Sequence, residues 1–181
     1  MDRYEDEISG YLVKLSSRNL SEPDSRKLTM LLHSVGDLER ISDHAINLVD
    51  CAKTMDKKEQ QFSEKATEEL QVFSQAVRDI VSASVEVLRT EDMEAAKAIE
   101  PFEEAIDILQ KEKCTPELGF ILSDITNNYE RIADHCSNLA INMMQLYEDD
   151  THAHEYVEQL EKEEGSAFDK MCQACLQRYA L

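Results

Sequence analysis

At 181 residues and 42% hydrophobic composition, the chain suits one compact domain or two small ones sharing a core, and its 4 Gly and 3 Pro leave few breaks between helix formers. Lys and Arg total 19 against 38 Asp and Glu, a net charge of -19, which disfavours nucleic-acid or anionic-lipid partners and would draw cations wherever carboxylates converge. No apolar run reaches membrane-spanning length and MDRYEDEISG has no signal-peptide pattern, so this segment is expected to lie in the cytoplasm without inserting into a membrane.

In chain order, Ile8, Tyr11, Leu12 and Leu15 recur at helical spacing and predict an amphipathic helix ending near Asn19. Ser21-Glu22-Pro23-Asp24 is a turn that opens a second, long helix, whose apolar positions are Leu28, Leu31, Leu32, Val35, Leu38, Ala45, Leu48, Val49 and Ala52, with Gly36 its one weak link. Ser63 caps a third helix with an apolar face of Leu70, Phe73, Val77, Ile80, Val81, Ser84 and Leu88. Thr90-Glu91-Asp92 opens a fourth, which Pro101 is expected to kink by removing a backbone donor. Thr115-Pro116 launches another long helix to about Tyr147, and two shorter helices, about residues 152–163 and 166–179, close the chain around Gly165. The class is all-α.

Five cysteines, an odd number mostly set within apolar helical patterns, fit reduced thiols better than a disulfide framework. Cys172 and Cys175 invite a redox or zinc reading. They also share a helical stripe with Phe168, Met171, Leu176 and Tyr179, and no second pair completes four ligands, so packing is the better account.

The sequence ERISDHAINL from Glu39 returns as ERIADHCSNL from Glu130, identical at seven of ten positions and 91 residues on, each copy midway along a long helix. The chain is therefore read as a tandem duplication of a helical unit. Within the copies Glu39, Asp43 and Asn47, and likewise Glu130, Asp134 and Asn138, lie one turn apart on one ridge, at the border of the apolar face. Carboxylates so placed need a cation, a proton or an arginine, and spacing alone leaves metal binding and salt bridges both open. His44 and His135 fall off that ridge and read as exposed or helix-packing residues. Glu-x-x-His, the di-iron oxidase pattern, is absent from both copies, and no nucleophile or Gly-rich phosphate loop accompanies the carboxylates. No enzymatic activity is expected; a carboxylate-bridged metal hydrolase or oxidase is the reading that enzymatic turnover would support.

The two copies resemble the repeated signature of PhoU proteins, regulators of bacterial phosphate uptake. The resemblance implies tandem three-helix bundles, with acidic motifs that bind metal clusters such as iron or zinc. It favours metal at Glu39, Asp43, Glu130 and Asp134, and matches the family's further acidic motif to Glu103 and Asp107. It also implies a first repeat over residues 1–60, truncated at its N-terminus and keeping Asp2 as the end of its own acidic motif, a second over 61–150, and a helical extension over 151–181. Asp107 to Cys114 spans 7 residues where Asp2 to Ser21 spans 19, a shortening of about three helical turns. The ending HEYVEQLEKEEGSAFDKMCQACLQRYAL is similar to the cytoplasmic C-terminal domain of sodium-dependent phosphate cotransporters. That likeness implies a transmembrane transporter portion as partner, in the same or a separate chain, and an inner-membrane setting. A stand-alone PhoU regulator, alone or as a homo-oligomer, is the alternative.

Overall fold

The computed structural model describes residues 1–113, 119–147 and 167–180. Seven helices account for most of these residues: α1 (Asp2–Ser16), α2 (Glu22–Lys57), α3 (Glu64–Thr90), α4 (Met93–Lys97), α5 (Ile99–Lys113), α6 (Gly119–Met144) and α7 (Ala167–Arg178). The expectations at Thr115-Pro116 and over residues 152–163 lie outside the described residues.

Helix starts follow local chemistry. The Ser21 hydroxyl accepts from the Asp24 amide at 3.3 Å with Pro23 in the first turn, and the Ser63 hydroxyl accepts from the Ala66 amide at 3.2 Å. Asp92 accepts from the amides of Glu94 and Ala95 at 3.0 and 3.2 Å. Glu91, in the left-handed region at φ 54°, turns the chain between α3 and α4 and binds Lys27 Nζ at 2.6 Å and the Tyr147 hydroxyl at 2.7 Å, which ties three helix ends together. The fourth helix divides at Ala98, three residues before Pro101. Proline has no N–H for the Lys97 carbonyl and its ring crowds that carbonyl. Gly36 does not interrupt α2.

The most extensive packing is between α2 and α6. They run antiparallel, because Asp37 meets His135 and Asn142 while His44 and Asn47 meet Asn128. α3, α5 and α6 enclose the main core, which includes Phe73, Val77, Ile80, Phe102, Ile106, Ile132, Cys136 and Met143. α7 lies along α5, and α1 packs on α2.

The apolar stripe of α3 is buried as its spacing predicts, with Phe73, Val77, Ile80 and Ser84 inside. The stripe of α1 is not, with Leu12 buried but Ile8 and Tyr11 exposed, and that of α2 is buried only in part: Leu28 is inside, Leu32, Val35, Leu38 and Leu48 are half-buried, and Leu31 and Val49 are exposed, as is Ile46 beside them. Ile46 and Val49 correspond, 91 residues on, to Ser137 and Ala140, which are buried in the α3–α5–α6 core. No described helix lies over α2 as α3 lies over α6. Among the described residues, no helix is long and apolar enough to cross a membrane.

Candidate metal centre

Two carboxylate trios form where a repeat helix meets its neighbour. In the first half Asp2, at the start of α1, meets Glu39 and Asp43, one turn apart on α2; in the second, Glu103 and Asp107, one turn apart on α5, meet Asp134 of α6. In each trio one oxygen from every residue lies within 4.8 Å of the others. Glu130, although it shares the ridge of Asp134, does not join the second trio as its counterpart Glu39 joins the first. The neighbouring helix makes up the number: α5 supplies two acids, Glu103 and Asp107, where α1 supplies one, Asp2.

The second trio is the drier. Burial raises the Glu103 carboxyl to about 8, reinforced by the charges of Asp107, Glu100, Asp134 and Glu104. Asp107 Oδ2 lies 3.5 Å from the exposed Lys111 ammonium, but its Oδ1 is buried with no hydrogen-bond partner. In the first trio burial is again the leading cause that raises Glu39, followed by its hydrogen bond with Asp43 and that group's charge. Asp2 keeps 85% of its side chain exposed.

Arginines do approach both clusters, as the salt-bridge alternative requires. Arg40 lies 3.7 Å from Glu39 and Arg131 3.1 Å from Asp134, yet their side chains are 67% and 59% exposed, where ion pairs contribute little. Neither gives Asp107 Oδ1 a partner. An orphaned, buried carboxylate oxygen beside two further carboxylates, in an all-oxygen donor set, fits a divalent cation. Glu103, Asp107 and Asp134 would hold it.

The two motif histidines pack helices. His44 Nδ1 donates to Asn128 Oδ1 at 2.8 Å and His135 Nδ1 to Asp37 Oδ1 at 3.0 Å. Asn47 adds a bond to Asn128 and Asn142 one to Asp37. Asp37 and Asn128 are themselves 91 residues apart, so the network repeats with the duplication. Spacing flagged neither residue because both precede the obvious motif; extending the repeat upstream would have paired them.

At the C-terminus, Phe168, Cys172 and Tyr179 are buried, so the expected stripe packs. Burial pushes the Cys172 thiol up to about 11, with further upward contributions from Glu104, Cys175, Asp169 and Glu103, and it raises Cys175 as well. Thiols so placed resist ionisation and are poor nucleophiles.

No curated protein and no solved structure matches the chain. The PhoU domain model does, over residues 1–52 and 70–143. Each matched stretch contains one copy of the repeat, and together they take in well over half of the sequence. The chain therefore belongs to the PhoU family, whose members are non-enzymatic regulators of phosphate transport.

Proposed function

We propose that this chain is the metal-binding regulatory domain of a sodium-dependent phosphate cotransporter and acts on the cytoplasmic side of the inner membrane. The metal reading is carried by the convergence of Glu103, Asp107 and Asp134 around an Asp107 oxygen that nothing in the protein satisfies. When bound, a cation supplies charge neutralisation. The chain's own part is to hold α5 and α6 at the separation that brings their carboxylates together. Three carboxylates with no His or Cys suit a harder cation, manganese or ferrous iron, better than zinc. Residues 1–60 and 61–150 are the two regulatory units, and 151–181 their extension.

The cotransporter assignment draws on the resemblance of the C-terminal sequence. The alternative is a stand-alone PhoU regulator that contacts a separate transporter. Protein purified without chelator should carry metal by elemental analysis, and Asp107→Asn should lose the share held by the second trio. Metal-free protein that takes up no Mn²⁺ or Fe²⁺ would overturn the metal reading. Apolar spans encoded upstream in the same reading frame support the cotransporter; a frame that adds only one more helix supports the stand-alone regulator.

A further inference from the structure

The outer side of α5 is covered by α7, and among the described residues no helix covers α1 in the same way. α7 lies along α5 and buries Phe168 and Cys172. At its far end the Tyr179 ring stacks on Phe102 with centroids 5.7 Å apart, one residue before Glu103. The Tyr179 hydroxyl then donates to Asp79 Oδ2 of α3 at 2.6 Å and Arg178 Nη2 to the same oxygen at 2.8 Å, which fastens α7 across two helices. The Cys172 thiol sits near enough to Glu104 and Glu103 to feel their charges. Over the first trio, by contrast, Tyr4, Ile8 and Tyr11 of α1 are 69%, 44% and 62% exposed.

We infer that α7 is a strap over the second carboxylate trio, and that its docking and the binding of a divalent cation by Glu103, Asp107 and Asp134 strengthen each other. Without a cation, charge on any two of these close carboxylates makes them repel one another across the α5–α6 contact. A cation removes that repulsion and fixes the α5 turn from Phe102 to Asp107, the surface on which Tyr179 and Cys172 rest. Coupling of this kind is reciprocal, so docking of α7 must tighten the cation by the same factor. The strap thus gives the second site a dependence on the C-terminal helix that the first lacks. The inference rests on the metal reading above.

The test uses the full chain carrying Cys175→Ser, with Cys172 as reporter. Labelling of Cys172 by a maleimide, located by mass spectrometry, follows undocking of α7, while paramagnetic resonance of free Mn²⁺ follows binding independently. Saturating Mn²⁺ should slow Cys172 labelling about tenfold, a coupling of typical size. Asp107→Asn should abolish the slowing and Asp43→Asn preserve it. Tyr179→Phe, which keeps the ring and removes its bond to Asp79, should speed labelling and weaken Mn²⁺ binding at the second trio several-fold. Mn²⁺ that binds with labelling unchanged would overturn the strap and leave the metal reading standing. No Mn²⁺ binding at all would remove both.

Discussion

His44 and His135 stack across the α2–α6 interface with ring centroids 5.8 Å apart and planes inclined by 28°. Each is held by the residue seven before the other, Asn128 and Asp37, so the duplication meets itself at one pair of rings. Asp37 accepts from His135 and Asn142 in this half-buried interface. Asp37→Ala would leave these donors without an acceptor and should cost about 1–3 kcal/mol in urea unfolding. Asp37→Asn, which installs the amide already present at the equivalent position, should recover most of that loss.

The raised Glu103 carboxyl sets the pH dependence of metal-free protein. Its folded value of about 8 lies above the ordinary 4.5, so the folded state holds a proton that the unfolded chain has released. The associated stability is complete below about 4.5 and disappears as pH rises toward 8. Unfolding midpoints should fall over that window by an amount worth up to a few kcal/mol. Glu103→Gln should flatten the profile. Asp79, lowered chiefly by its hydrogen bond from Tyr179, works the other way and destabilises the fold only as pH drops toward the low carboxylate range.

Metal should be held more tightly by the second trio than by the first, because none of its three carboxylates is exposed whereas Asp2 of the first is. Asp134→Ala should therefore lower metal content per chain more than Asp43→Ala, and Glu130→Ala should leave it nearly unchanged. Equal losses from Asp134→Ala and Asp43→Ala would show that exposure of Asp2 does not weaken the first cluster.

A lysine introduced at either of two repeat-related positions should have very different consequences. Val49→Lys places an ammonium on an exposed face and should shift stability by less than ~0.5 kcal/mol. Ala140→Lys, 91 residues later, forces an unpaired charge into a fully buried position and should prevent cooperative folding, as read by circular dichroism.

Much of this architecture was legible in the residues. Ser21, Ser63 and Asp92 announced helix starts because capping is local chemistry, and Pro101 announced the division between α4 and α5 for the same reason. Periodicity likewise found the buried face of α3. It held only in part on α2, where Leu28 is buried but Leu31 and Val49 keep helical phase and face solvent, because a stripe records what a helix can bury and not whether a neighbour is present. Glu130 shows a related limit. Spacing put it on the ridge of Asp134, but which members of a ridge converge depends on the acids that the facing helix presents, and α5 presents two where α1 presents one.

The antiparallel pairing of α2 with α6 also shapes how the protein must assemble. His44 and Asn128 are 84 residues apart in the chain, and Asp37 and His135 98. α1 can find α2, and α5 can find α6, through short connections, whereas the central pair must close a loop containing about half of the chain. Loop closure makes distant contacts slow and late. The two carboxylate trios, each made by helices joined through a short connection, should thus form before the interface between them, and refolding should wait on the meeting of the two histidine-bearing helices.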